Sequence, residues 1–241
     1  MPEGVSPKPI EHLREGVRPI MTCVGTREDF DFRLDHLVQY FNKSKSFPAH
    51  NIDYDAPSYV LNKNDFLNGG DGTYVISIPD SRDKFSQGYI NCTGLIIAGI
   101  KKNGEKVSIL SHQDPDSFLS DTKEDFVRHL QERLQEILKI CQPGTIDAVV
   151  VGGNYLPQPN FNTIYKQHYL DSISLISREV EKILGFNPRV ENGPKVVVGG
   201  DDLYFDNENR RLYFLRRKVN PETGSFTQAT IDEEKNKWGN N

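Results

Sequence analysis

The chain has 241 residues, enough to bury the core of one large domain or two small ones, and its 29 Lys plus Arg against 34 Asp plus Glu leave a net charge of −5. That balance offers no basic footprint and argues against a nucleic-acid partner. No stretch approaches the length of an apolar membrane span, and the N-terminal MPEGVSPKPIEHLREGVRP has no apolar run suited to a signal peptide. The expectation is therefore a soluble protein with no membrane partner, either cytoplasmic or delivered to a host cytosol by a specialised secretion system. Three cysteines, Cys23, Cys92 and Cys141, are odd in number and far apart, which gives neither a disulfide framework nor a metal knuckle.

In chain order, residues 1–25 are polar and proline-rich and read as an arm. Thr26 with Asp29 suggests an N-cap, and Phe30, Leu34, Leu37, Val38 and Phe41 fall on one face of a helix over 26–42. Residues 46–72, with Pro48, Pro57, Gly69 and Gly70, read as loop with one brief strand at 59–61, and 73–78 as a further strand. Two β-rich runs, 94–100 and 106–111, flank Asn103-Gly104, the strongest short-range hairpin signal.

Asp121 with Glu124 forms a capping box ahead of Phe126, Val127, Leu130, Leu134, Ile137 and Leu138, which predicts a helix over 122–140 stopped by Gln142-Pro143-Gly144. Apolar strands at 146–151 and 195–198 bracket a helix over 164–184, a βαβ pattern. Runs at 203–205 and 211–215 form a second hairpin, and the polar stretch from Lys218, including Trp238, reads as a frayed tail. The expected architecture is an α+β sandwich: two mixed β-sheets face to face with the helices outside. It divides as an arm (1–25), one catalytic domain (26–217) and a tail (218–241).

The chemistry centres on Cys92 and His112. With Asn103-Gly104 as a two-residue turn, His112 lies opposite Leu95, three residues from Cys92, or roughly 10 Å along a strand. A bulge at Gly94 would bring thiol and imidazole into hydrogen-bonding range. Such a pair suits nucleophilic acyl transfer, the histidine stabilising a thiolate and then protonating the leaving group. The plain alternative is a small buried hydrophobe and a polar residue at a strand end.

Competing chemistries find little support. The six histidines (His12, His36, His50, His112, His129, His168) include no HExxH or HxxxH pair. A lone helical histidine such as His129 reads as a surface or satisfied residue. Gly152-Gly153 and Gly199-Gly200 fit neither GxGxxG nor GxxxxGK[ST], so no nucleotide, metal or other cofactor is expected. Cys23 lies in the arm and Cys141 at a helix C-terminus, where the dipole disfavours a thiolate.

A cysteine at the start of a strand, a histidine after the next strand and a hydroxyl residue six positions before the cysteine together resemble the bacterial glutamine deamidases: the CheD-type chemoreceptor deamidases, the cytotoxic necrotizing factors and the Burkholderia lethal factor. The matching positions are Cys92, His112 and Ser86. Downstream, Val149-Val150-Val151-Gly152-Gly153, a helix, and Val198-Gly199-Gly200 leading to Tyr204-Phe205-Asp206 and Arg210-Arg211-Leu212-Tyr213 follow the CheD-type order. The likeness covers roughly 86–217, and it departs from the CheD-type pattern in having Ile90-Asn91 before the cysteine, Ser86 for threonine and Gln113-Asp114-Pro115 after the histidine.

The resemblance implies a cysteine-dependent amidohydrolase without cofactor, a monomer acting on a protein substrate that bears a reactive glutamine. Cys92 would be the nucleophile, His112 the acid and base, and Ser86 the residue orienting the imidazole, with Gln87 and Ser111 as alternatives for that role. Gln87, Asn91 and Gln113 are the expected substrate-binding residues. A bacterial effector acting on a host protein fits the extra N-terminal length. Peptide or ester hydrolysis, transglutamination and a non-catalytic interaction module remain the other readings.

Overall fold

A computed structural model describes residues 11–25, 29–30, 58–61, 74–89, 92–152, 163–192 and 200–217. In chain order these form β1 (Met21–Gly25), β2 (Ser58–Leu61), β3 (Tyr74–Ile76), β4 (Asp83–Tyr89), β5 (Thr93–Ile100) and β6 (Lys106–Gln113). Next come α1 (Pro115–Asp121), α2 (Lys123–Ile140), β7 (Asp147–Gly152), α3 (Thr163–Leu184), β8 (Arg189–Asn192), β9 (Gly200–Asp206) and β10 (Arg211–Arg217). None of the described helices is long and apolar enough to cross a membrane.

The strands make two five-stranded sheets, one ordered β1-β10-β9-β4-β2 and the other β3-β6-β5-β7-β8. Both are mixed: β1–β10, β2–β4 and β7–β8 are parallel pairs and the rest antiparallel. The expected sandwich is present. Even-numbered residues of β5 and β6 (Ile96, Ala98, Leu110) meet Leu203, Phe205, Leu212 and Phe214 of the first sheet in an inter-sheet core. Odd-numbered ones (Leu95, Ile97, Val107, Ile109) pack under Phe126, Leu130, Leu134 and Ile137 of α2 and Ile176 and Val180 of α3. Because β5, β6 and β7 are buried on both faces they read as continuous apolar runs rather than as alternation, and each fully buried side chain contributes about 1.5–3 kcal/mol.

Several expectations change. The arm is not wholly irregular, since Met21–Gly25 pairs with β10 as an edge strand. The capping box at Asp121 does not form: Asp121 ends α1, a helix unseen in the periodicity because it has only seven residues, with Asp114 as its N-cap and Pro115 in its first turn. The strand after α3 that completes the βαβ unit is β8, at Arg189–Asn192, parallel to β7. The expected strand at 195–198, most of the helix over 26–42 and the tail with Trp238 lie outside the described residues.

Two buried ionic clusters tie the layers together. Asp147, at the start of β7 and 1 % exposed, accepts from the backbone N–H of Ile20 at 2.7 Å and from Arg189 at 3.3 Å, with His12 Nε2 at 3.2 Å. It thereby fixes residues 11–20 onto the second sheet. Removing the carboxylate leaves a buried N–H without its acceptor, so Asp147→Ala should lower the unfolding free energy by about 3 kcal/mol. It should also speed hydrogen exchange at Ile20, and a stability loss no larger than that of an exposed-site substitution would contradict the assignment.

At β4, fully buried Lys84 is paired with Asp80 and donates to the Arg82 carbonyl at 3.1 Å. Burial pulls its ammonium down to about 8, against the opposing pull of Asp80. Between that value and the ordinary lysine range the unfolded chain holds more protons than the folded one, so stability must rise with pH across this window. Chemical unfolding of the native protein beside Lys84→Met from pH 7 to 10 should show the native protein gaining on the variant.

Candidate active site

The site begins with an irregularity in β4. Ser86 pairs with Leu203 and Tyr89 with Asp201, so three steps along β4 match two along β9. In a regular strand, residues three apart point to opposite faces. The extra residue in this bulge lets Ser86 and Tyr89 both enter the inter-sheet layer. Gly88 takes the positive φ of 82° that the bulge demands, and buried Asp202 accepts its N–H at 3.0 Å.

The second determinant is the turn between β5 and β6. Lys101 N–H donates to the Glu105 carbonyl at 2.8 Å and Gly104 N–H to the Lys101 carbonyl at 2.9 Å, with Gly104 at φ 90°. The connection is thus a three-residue loop, Lys102-Asn103-Gly104, and not the two-residue Asn103-Gly104 turn read from the sequence; only the glycine occupies the positive-φ region. The strand register moves by one residue. His112 pairs with Gly94 on one side and Val75 on the other, where the sequence reading placed it opposite Leu95.

That single step decides the site. Opposite Leu95, His112 would face the helices, whereas opposite Gly94 it shares the inter-sheet face. Cys92 is two residues from Gly94 and packs in the same inter-sheet core as Tyr89, Ile96 and Leu110. Thiol and imidazole are therefore brought onto one face at a diagonal position by register rather than by a bulge at Gly94.

His112 is fully buried, and its Nδ1 lies 2.9 Å from the Ser86 hydroxyl oxygen. The ring of Tyr89 stacks on the imidazole, with centroids 3.9 Å apart and planes inclined by 17°. The Tyr89 hydroxyl donates to the Ser111 carbonyl at 2.8 Å. Burial, opposed by the Ser86 hydroxyl and reinforced by Cys92 and Asp202, holds this phenol well above the ordinary tyrosine range, so it acts as a neutral donor. Cys92 itself is 3 % exposed.

Of the residues picked out in the sequence, Ser86 and His112 meet directly and Cys92 joins their layer. Gln87 is half-buried within the bulge. Gln113 points to the opposite face of the sheet: its amide donates to Thr93 at 3.1 Å, and Thr93 in turn contacts Ser172 of α3. Asn91 lies outside the described residues. Ser111 shares the helix-facing side with Leu95, so of the three candidates for orienting the imidazole the geometry favours Ser86. The other thiols differ in setting. Cys141 lies against Gly99 and burial pushes it up to about 11, while half-buried Cys23 packs with Phe85 and Tyr213 on the outer face of the first sheet. His129 is satisfied by the Tyr74 hydroxyl at 2.7 Å.

Tyr89 and Asp202 are the site residues that sequence reasoning missed. The sequence reading placed no strand over Asp83–Tyr89, and Gly88 within it was the one mark of a bulge. A second glycine is equally specific: a Cβ on Gly94 would lie 2.6 Å from the Ser111 carbonyl oxygen and 2.9 Å from the Tyr89 ring. Gly94→Ala should displace Tyr89 from His112 and destabilise the fold by about 1–3 kcal/mol, read by denaturant unfolding and by the near-UV circular dichroism of the displaced tyrosine. No protein-family model matches the chain, and a search of curated proteins returns no match.

Proposed function

We infer that this protein is a cysteine-dependent deamidase that converts a glutamine of a protein substrate to glutamate. The observation that carries the reading is the Ser86 hydroxyl on His112 Nδ1 at 2.9 Å, with Cys92 in the same inter-sheet layer. With Nδ1 engaged, proton exchange with a thiol falls to Nε2. His112 takes the Cys92 proton, and the thiolate attacks the substrate carboxamide carbon. The C–N bond breaks as the imidazolium protonates the departing nitrogen, releasing ammonia and leaving a thioester. A water, deprotonated by His112, then attacks the thioester carbonyl, and the C–S bond breaks to give the carboxylate and restore the thiol. Ser86 holds the imidazole in one tautomer throughout.

The same layout serves an amine in place of water, which would make the reaction a transglutamination. The partner is a protein rather than a small amide, since the reading rests on resemblance to enzymes that act on protein glutamines. A host protein reached by a specialised secretion route is the setting that resemblance suggests.

The burial of Cys92 favours a second reading, a core thiol in an interaction module. Alkylation of the native protein separates the two. In the enzyme, Cys92 reacts fast below pH 7 and loses that advantage in His112→Ala; in the module it reacts no faster than Cys23.

Activity supplies the direct test. Ammonia release and glutamine-to-glutamate conversion, followed by mass spectrometry on a bacterial and a eukaryotic lysate, should vanish in Cys92→Ala. They should fall ~10²–10⁴-fold in His112→Ala, and on the order of tenfold in Ser86→Ala with recovery in Ser86→Thr. Conversion retained by a folded Cys92→Ala protein would sink the assignment.

A further inference from the structure

We propose that Tyr89 is a positioning residue of this site, its ring holding the His112 imidazole in place and favouring its protonated form. The proposal rests on the deamidase reading for its purpose, though not for its test. Three independent features seat the ring against His112: the bulge that turns Tyr89 inward, the missing side chain at Gly94, and the bond from its hydroxyl to the Ser111 carbonyl. Each would be dispensable if Tyr89 were only a filler of the core, where an aliphatic side chain of similar volume serves as well.

The geometry has a chemical consequence. The face of an aromatic ring carries negative charge density, and a cation within about 6 Å of the ring centroid is attracted to it, more strongly where water is excluded. At 3.9 Å and nearly parallel, the Tyr89 ring is inside that range, and both rings are buried. The neutral imidazole gains little from this arrangement and the imidazolium gains more. Since a thiolate and an imidazolium form together, whatever favours the imidazolium also favours the thiolate.

The charged and titratable groups around the ring come from two strands and the residue before a third: His112 on β6, Asp201 and Asp202 on β9, and Cys92 before β5. Asp202 is engaged by the Gly88 N–H, and Asp201 pairs in register with Tyr89. Asp201 and Asp202 are left unchanged in every variant, so the contribution of the ring is measured at constant β9.

The experiment follows the His112 ring signals by NMR against pH in the full-length Cys92→Ala background, assigned by their loss in His112→Gln. Tyr89→Leu should lower the His112 pKa by roughly one unit, while Tyr89→Phe, which keeps the ring and loses only the bond to Ser111, should leave it nearly unchanged. Pentafluorophenylalanine at position 89 keeps the shape of Phe and removes the negative face, so it should reproduce the downward shift even if Tyr89→Leu does not fold. Equal His112 pKa values with Phe and pentafluorophenylalanine would overturn the proposal and leave Tyr89 a packing residue. A shift in this background, together with no deamidated product from the wild-type protein in the lysate assay, would uphold the positioning role and count against the deamidase reading instead.

Discussion

One residue in the turn between β5 and β6 determines on which side of the second sheet His112 lies. The side-chain period of a strand is two, so a slip of one residue sends every β6 side chain to the other face. In the observed register Val107 and Ile109 meet the apolar stripe of α2, and Lys106, Ser108, Leu110 and His112 share the other side. The slipped register would press His112 against Leu130 and Leu134 and remove it from Ser86. Burying that imidazole unpaired costs about 1–3 kcal/mol, more than the difference between two good turns. Packing of the sheet therefore selects the three-residue loop, and Asn103-Gly104 accommodates the choice because its glycine supplies the one positive φ required.

A histidine placed in that layer must be provided for from the opposite sheet, and the bulge in β4 does this. Ser86 and Tyr89 reach the imidazole from one strand because an extra residue stands between them, and the carboxylate of Asp202 gives the freed Gly88 N–H an acceptor. Thr93, Gln113 and Ser172 form a polar set on the reverse of the same strand ends, linking β5 and β6 side by side and tying both to α3. The residues that follow Cys92 and His112 in sequence, Thr93 and Gln113, are thus held from the helix side while Cys92 and His112 face inward.

How much of this was legible in the sequence follows from the range of each signal. The two long described helices and both hairpins announce themselves through periodicity and turn residues, and from them the sandwich follows. The α1 helix was missed because seven residues are too few for a period, although Asp114-Pro115 is a helix start by its chemistry. β8 was missed because Arg189–Asn192 neither alternates nor runs apolar. Cys92 and His112 stood out through the hairpin signal between them, which is local information, and Ser86 through the resemblance to the deamidases. Tyr89 and Asp202 did not, because their roles depend on how β4 meets β9, a register that no window of sequence contains. Gln113, expected among the substrate-binding residues, lies on the side of the sheet opposite His112, because adjacent residues in a strand face opposite sides.

The choice of Ser86 as the partner of His112, rather than a carboxylate, fits where the site has been put. A carboxylate in contact with a buried imidazole would introduce a charge into the inter-sheet core at rest, and burying an ion pair costs several kcal/mol per ion before any attraction is recovered. The Ser86 hydroxyl and the Tyr89 ring add no charge where they touch the imidazole, and they hold it by hydrogen bonding and stacking alone. In the proposed mechanism charge would enter when the proton moves from Cys92 to His112, and then as a pair, in a low-dielectric space where the attraction between the two is strong. The carboxylates of β9 stay one step removed, Asp202 occupied by the bulge. On the proposed reading such an arrangement would separate the requirement for a stable core from the requirement for a reactive thiolate, and it would place the sensitivity of the site in the groups that touch the imidazole: the Ser86 oxygen at Nδ1 and the ring of Tyr89 on its face.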